Sequence, residues 1–127
     1  TISYLAVPRC IYTSPEVACV GLTEKEAMDQ KREVKVSRFP FHAVGKAALT
    51  EDTGGMIKIV AGKKYGEILG VHIIGPHATE LIAEAVLAIE MELTVEELAH
   101  IIHPHPTLSE GLGEAAMLLS GGALHLP

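Results

Sequence analysis

The sequence has few aromatic residues, and this scarcity limits how its core can be built. Aromatic side chains make up 4% of the 127 residues, and tryptophan is absent. Apolar residues still reach 48%, so we expect a core of Ala, Val, Ile and Leu. A chain of this length suits one domain that buries about two-thirds of its unfolded surface. We therefore predict a single domain over residues 1–127, with a loose C-terminal tail over 120–127.

The chain also lacks a basic surplus, a long apolar run and a recognisable leader. Its formal net charge is −6 and its pI is about 5.6, which argues against nucleic acid or an anionic membrane as a partner. No run approaches the roughly 20 apolar residues of a membrane span. Residues 1–4 have neither the basic start nor the apolar stretch of a signal peptide. The chain does not begin with Met, so we expect either processing or a piece of a longer protein.

Cysteine is nearly absent, and glycine-rich phosphate-binding motifs are missing. Cys10 and Cys19 are spaced neither as a Cys-x-x-Cys redox pair nor as half of a zinc site. We interpret them as reduced structural thiols in a cytoplasmic compartment, or in the mitochondrial matrix of a eukaryote. Gly54, Gly55 and Gly70 fit no dinucleotide or nucleotide fingerprint. We therefore expect these glycines to serve turns and close packing, and this chain alone to hold no cofactor.

Hairpin-connected strands precede most of the helices in this sequence. This order favours an α+β fold, a two-layer domain with a mostly antiparallel sheet covered by helices. A parallel, doubly wound sheet is disfavoured because βα alternation is missing. Segment 41–49 is ambiguous between a short helix and an irregular connection. The predicted strands lie within 9–21 and over 34–40, 56–61 and 68–74, and the predicted helices over 23–31, 78–91, 94–100 and 108–119.

The helix predicted from Ala78 to Met91 is apolar around more of its circumference than one sheet can cover. Glu80, Glu84 and Glu90 are expected to mark its solvent-facing stripe. Another helix of the domain, or a second subunit, must then cover the rest. Apolar residues that recur at i, i+3 and i+4 predict one buried face of this helix. They are Leu81, Ile82, Ala85, Val86, Ile89 and Leu93.

The most specific chemical signal is the octapeptide over residues 103–110, HPHPTLSE. Pro106 disfavours a helical backbone at His105, and the following Thr-Leu-Ser-Glu reads as a helix start. A bend at His105 can bring the Glu110 carboxylate back to one imidazole nitrogen. Such a carboxylate fixes the tautomer and leaves the other nitrogen for a proton. The pattern therefore suggests a general base. The alternative is a rigid surface connector, in which Glu110 is only a first-turn acid favoured by the helix dipole.

A metal site is the alternative use of these histidines. His100, His103 and His105 have a His-x-x-His-x-His spacing that could supply three nitrogens to zinc. No Cys lies nearby and the prolines restrict convergence, so we predict no metal ligands. His72 lies in a predicted central strand and should have a hydrogen-bond partner. The remaining histidines are interpreted as surface or structural side chains: His42, His72, His77 and His125.

Several stretches resemble, in the right order, the C-terminal dimerisation domain of dihydrolipoamide dehydrogenases, in the family of flavin disulfide reductases. The resemblance covers most of the chain, from Ala6 to Leu119. Gly111 and Gly113 depart from it, since helix formers would be expected there. The matching stretches are 11–18 (IYTSPEVA), 20–24 (VGLTE), 39–41 (FPF), 68–76 (ILGVHIIGP), 80–85 (ELIAEA) and 103–110 (HPHPTLSE).

The resemblance implies a homodimeric, NAD-dependent flavoenzyme with FAD and a redox-active Cys-x-x-x-x-Cys pair. Such enzymes reoxidise the dihydrolipoyl groups of 2-oxo acid dehydrogenase complexes or of the glycine cleavage system. The resemblance makes His105 the base and Glu110 the residue that orients it, with a cis His105–Pro106 bond. The pair would act at the flavin and disulfide of the partner subunit.

This chain carries neither the dinucleotide fingerprint nor the cysteine pair, so we expect it to be inert alone. Two alternatives remain open at this point. One is a non-catalytic dimerisation or binding module with the same fold. The other is the interface domain of a different flavin disulfide reductase.

Overall fold

The computed structural model describes residues 1–51 and 54–120. Within them, five strands form one antiparallel sheet in the order β1-β2-β5-β4-β3. The central β4–β5 hairpin turns at the predicted loop over 62–66, and its ladder shifts register between Val60 and Ala61. The strands are β1 (Arg9–Ile11), β2 (Glu16–Gly21), β3 (Val34–Pro40), β4 (Met56–Gly62) and β5 (Ile68–Gly75).

The helices lie where the sequence predicts them, and the α+β expectation is confirmed. Two of them begin with the expected capping boxes, Thr23 with Glu26 and Thr94 with Glu97. The ambiguous segment contains a 3-10 turn, Phe41–Ala43, followed by a short helix. The helices are α1 (Glu24–Asp29), α2 (Gly45–Leu49), α3 (Ala78–Glu90), α4 (Val95–His100) and α5 (Glu110–Ser120), with a further 3-10 turn at Tyr4–Ala6.

The main core lies between one face of the sheet and helices α3 and α5. Helix α3 packs on β2 and β5, while α5 packs on β3 and β4. Helix α1 covers part of the opposite face, where Ala27 packs with Val60 and Leu69. The largest fully buried side chains are aliphatic or Phe: Phe39, Phe41, Ile57, Ile59, Ile73, Leu98, Leu112, Val20, Val60, Val71 and Val95.

Helix α3 keeps apolar side chains on its outer surface, as its sequence suggested. Leu87 is 61% exposed, and Met91, which follows the helix, is 63% exposed. The amino end of α3 is held by the Glu16 carboxylate, which accepts hydrogen bonds from the Thr79 N–H at 3.0 Å and hydroxyl at 2.7 Å. These bonds lower the pKa of Glu16. The helix is thus fixed to β2 while its outer apolar residues stay uncovered.

Two glycines explain how closely helix α5 approaches its neighbours. A Cβ at Gly111 would lie 2.9 Å from Ile57 Cδ1, and one at Gly113 would lie 3.0 Å from the His103 ring. The helix formers expected at these positions would therefore crowd the sheet and the loop before α5. The buried Ser37 hydroxyl donates to the Ala115 carbonyl at 2.7 Å and ties α5 to β3.

The carboxyl end of the chain is described as far as Ser120, where α5 ends. Residues 121–127, which make up almost all of the predicted loose tail, lie outside the described residues, as does His125. No helix in the described ranges is both long enough and apolar enough to cross a bilayer.

Candidate functional site

The segment between helices α4 and α5 carries the octapeptide and forms a tight bend. His105–Pro106 is a cis peptide bond, as expected, and Ser14–Pro15, which was not predicted, is also cis. Inside the bend the Thr107 hydroxyl donates to the Pro104 carbonyl at 2.6 Å. The same hydroxyl lies 2.9 Å from the Ser109 hydroxyl, one residue before α5 begins.

His105 and Glu110 form a hydrogen-bonded pair within this bend. His105 Nδ1 lies 2.8 Å from Glu110 Oε1, and since a carboxylate only accepts, Nδ1 carries the hydrogen. Glu110 Oε2 accepts the Thr107 N–H at 2.9 Å, so one carboxylate holds both ring and backbone. The His105 side chain is 69% exposed and that of Glu110 is 15% exposed. This geometry leaves Nε2 as the ring nitrogen with a lone pair, on an exposed imidazole.

A second histidine–glutamate pair lies two residues earlier in the chain. His103 Nε2 lies 2.6 Å from Glu84 Oε1 on helix α3, and the two side chains are 9% and 28% exposed. The hydrogen bond to Glu84 raises the pKa of His103 above its usual value, against the opposing effect of burial. The charge of Glu84, the backbone of Ile101 and the charge of Glu110 act in the same direction.

The interpretation of Glu84 as part of the solvent-facing stripe is therefore wrong. Glu84 is partly buried, whereas Glu80 and Glu90 are exposed. The sequence carried a signal for this, because Glu84 is three residues after Leu81 and four before Ala88. Both of those residues lie on the buried side of α3. A glutamate at such a position borders the apolar face and can reach a neighbouring segment.

The three clustered histidines do not converge on a common point. His100 Nδ1 donates to the Glu96 carbonyl at 2.6 Å, while His103 and His105 bind separate carboxylates. Across residues 1–51 and 54–120, no group of three His, Cys, Asp or Glu side chains is placed to hold a metal ion. This arrangement does not support the alternative of a three-histidine zinc site.

The other candidate residues have structural surroundings. His72 Nε2 lies 3.0 Å from the Leu22 carbonyl, which confirms the expected partner, and burial lowers the pKa of His72. Cys10 and Cys19 are free thiols of intermediate exposure. A Cβ at Gly70 or Gly55 would meet the carbonyl oxygen of Leu22 or Ile74. These two glycines therefore fit close backbone packing, as the sequence predicted.

The family model for the dimerisation domain of pyridine nucleotide-disulphide oxidoreductases matches residues 7–116. The chain belongs to this family. The match includes all five strands and extends into helix α5, so it contains both histidine–glutamate pairs. The resemblance found in the sequence is confirmed.

Curated relatives and solved structures agree with this assignment. Dihydrolipoyl dehydrogenases from Bacillus subtilis and Thermus scotoductus are 53% and 52% identical to this chain over 94% of its length. The crystal structure of LpdA from Mycobacterium tuberculosis matches 93% of the chain with a TM-score of 0.87 at 29% identity. The HOCl-induced flavoprotein disulfide reductase RclA from Escherichia coli matches 88% with a TM-score of 0.84 at 27% identity. The chain spans 25–26% of the length of each of these proteins.

Proposed function

We propose that this chain is the interface domain of a dihydrolipoyl dehydrogenase and that it supplies the general base for dithiol oxidation. His105 is the base, and Glu110 is the carboxylate that orients it. The observation that carries the proposal is the 2.8 Å bond between Glu110 and Nδ1 of an imidazole that is 69% exposed. The two dihydrolipoyl dehydrogenases described above, at 53% and 52% identity, support the choice of this branch of the family.

The chemistry of a dithiol explains why such a base is needed. Only a thiolate attacks a disulfide, and the pKa of an ordinary thiol lies above neutrality. With Nδ1–H held by Glu110, His105 takes the thiol proton at Nε2. The carboxylate then stabilises the imidazolium that results, as the aspartate of a hydrolase triad does. General-base assistance of this kind contributes about 100- to 10,000-fold in rate.

The proposed working form is a homodimer in which the base acts at the partner's redox centre. Leu87 and Met91 present apolar surface on and just beyond α3, and Ile101 and Ile102 do so ahead of His103. An exposed imidazole next to apolar surface suits an interface that closes over a substrate. The catalytic step would then need both subunits, because the base and the disulfide come from different chains.

The cofactors and partners of the whole protein follow from the same assignment. FAD and NAD would be held by parts of the protein outside this chain, where FAD supplies the electron-accepting chemistry. The substrate would be the dihydrolipoyl group of a 2-oxo acid dehydrogenase complex or of the glycine cleavage system. A cytoplasmic location, or the mitochondrial matrix in a eukaryote, fits those complexes. Without the remaining domains this chain would be inert.

The test is His105→Gln in the full-length protein, assayed with dihydrolipoamide and NAD at pH 7. We expect kcat/KM to fall about 100- to 10,000-fold, with flavin content, read from visible absorbance, unchanged. His100→Gln is the matched control, because the His100 ring donates to the Glu96 carbonyl of its own helix and not to a carboxylate of the bend. We expect the control to retain activity within twofold, which is about 0.4 kcal/mol in barrier.

Two outcomes would reject this function. If His105→Gln oxidises the dithiol as fast as the parent protein, His105 is not the base. If the full-length parent protein oxidises no dihydrolipoamide while it holds its flavin, the domain belongs to another flavin disulfide reductase. A parent protein that binds no flavin at all would favour the non-catalytic module.

A further inference from the structure

The segment that carries His105 has little packing of its own before the helix begins. Among residues 101–106, His103 is the one side chain that is not exposed, and Ile102 is 95% exposed. On the helix side of the bend, Glu110 holds Thr107 and His105. On the other side, the partly buried contact of His103 with Glu84 joins the segment to helix α3.

We propose that His103 and Glu84 are positioning residues whose buried hydrogen bond ties the His105 segment to helix α3. This inference rests on the proposed function of His105. The bond joins residues 19 positions apart, and the short distance of 2.6 Å suits a charge-assisted pair. Because the His103 side chain is 9% exposed, it has little surface to offer a substrate. Its part is to hold the backbone from which His105 projects.

Helix α5 supports the same ring from a second direction. A Cβ at Gly113 would lie 3.0 Å from the Cε1 and Nδ1 atoms of His103, so the absence of a side chain leaves room for the imidazole. His103 is therefore held between α3, which binds it, and α5, which packs against it. The ring fixes the distance between the segment and both helices, and a shift of about 1 Å in a catalytic group can cost 100-fold in rate.

The charges around the ring favour the imidazolium form of His103. Glu84 approaches from α3, and His100, Glu110 and Glu114 line the same groove as His103. The hydrogen bond to Glu84 leads in raising the pKa of His103, burial opposes it, and the charges of Glu84 and Glu110 add to the rise. The anchor is therefore strongest below the usual histidine pKa of about 6.5 and weakens as pH rises through the raised pKa of His103.

Helix α3 also carries the exposed residue Leu87 of the proposed dimer surface, and exposed Met91 follows directly after the helix. The Glu84–His103 bond thus joins the interface helix directly to the catalytic segment. When a partner subunit packs against α3, this bond would help to set the position of His105 relative to the partner's redox centre.

The test uses Glu84→Gln in the full-length flavoenzyme, with Glu80→Gln as control. Glu80 lies one turn earlier on α3 and is exposed. We expect Glu84→Gln to lower kcat/KM for dihydrolipoamide about 10- to 100-fold at pH 7, with full flavin content and the control unchanged. The loss should shrink to about twofold at pH 9.5, because the dithiol then ionises without help and high pH favours the neutral form of His103 in the parent protein.

His103→Leu and the Glu84→Gln/His103→Leu double variant complete the experiment. If the two residues act as a pair, the double variant loses no more than the larger single effect. A Glu84→Gln loss that is the same at pH 7 and pH 9.5, or activity within twofold of the parent, would overturn the positioning role. Since His105→Gln is measured alongside, its full activity would instead show that the proposed base is wrong.

Discussion

The two histidine–glutamate pairs differ mainly in exposure, and that difference separates their chemistry. His105 is 69% exposed and bonded to a carboxylate five residues later. His103 is 9% exposed and bonded to a carboxylate 19 residues earlier. The exposed imidazole can meet a substrate and exchange a proton with it. The buried one is bonded within the domain, which is why we propose catalysis for the first pair and positioning for the second.

The largest expected effect comes from loss of the proposed dimer, because under our proposal the exposed pair acts at a site on the partner subunit. We predict that Leu87→Asp in the full-length protein shifts the dimer to monomer and lowers dithiol oxidation by about 100-fold or more, since a buried unpaired charge costs several kcal/mol. Sedimentation velocity and dihydrolipoamide turnover are the measurements. Met28→Asp on α1 is the control, because Met28 is 64% exposed against 61% for Leu87. A Leu87→Asp protein that stays dimeric would place the interface elsewhere.

The next largest effect isolates the carboxylate of the exposed pair. Glu110→Gln replaces one carboxylate oxygen by an NH2 group and removes the negative charge. The side chain then has one acceptor oxygen for two donors, the His105 ring and the Thr107 N–H. We expect kcat/KM to fall about 10- to 100-fold, less than in His105→Gln. Glu96→Gln is the matched control, since both glutamates lie in the first turn of a helix. A loss as large as that of His105→Gln would mean that Glu110 does more than orient the ring.

For the buried pair, His103 and Glu84, we predict a smaller effect, and it is on the stability of the fold. The raised pKa of His103 means that the folded protein binds its proton more tightly than the unfolded chain. This contribution is fully present below the usual histidine pKa of about 6.5 and is lost as pH rises through the raised value. We predict that Glu84→Gln lowers the thermal midpoint by a few °C at pH 6 and by less at pH 9. A difference independent of pH, measured by calorimetry, would contradict the charged pair.

The smallest expected effect concerns His72, whose contribution to stability depends on pH in the opposite direction to that of His103. Burial lowers the pKa of His72, so the stability it contributes is present above the usual value of about 6.5 and is lost as pH falls through the lowered one. His72→Gln keeps a donor for the Leu22 carbonyl and cannot be protonated. We predict that the variant loses less stability than the parent between pH 7 and pH 5, by under about 1 kcal/mol. If the free energy of unfolding falls equally in the variant and the parent between pH 7 and pH 5, His72 does not titrate in this range.

Local signals allowed most of the fold to be predicted. The capping boxes at Thr23 and Thr94 depend on residues three positions apart, and the β4–β5 hairpin follows from alternation and a short loop. The exposed pair was predictable for the same reason, since His105 and Glu110 are separated by five residues and a proline-defined bend. Segment 41–49 lacked such a signal, and its two short elements could not be distinguished in advance.

Long-range packing accounts for what the sequence did not reveal. The partner of His103 lies on another helix, and nothing near Glu84 in the sequence indicates where the octapeptide will pass. Gly113 likewise departed from the family resemblance, yet the lack of a side chain there leaves room for the His103 ring. Both features depend on how α3, α5 and the bend meet. The buried pair therefore became visible only once these elements were placed together.

The most direct test of the proposed base is the pH dependence of its loss. Dihydrolipoamide oxidation by the full-length parent protein and by His105→Gln is compared from pH 6.5 to pH 9.5, as the ratio of their kcat/KM values. We predict a ratio of about 100 or more at neutral pH that falls at least tenfold by pH 9.5, where the thiol ionises by itself. A ratio that stays constant across this range, with flavin fully bound in both proteins, would contradict proton transfer to His105.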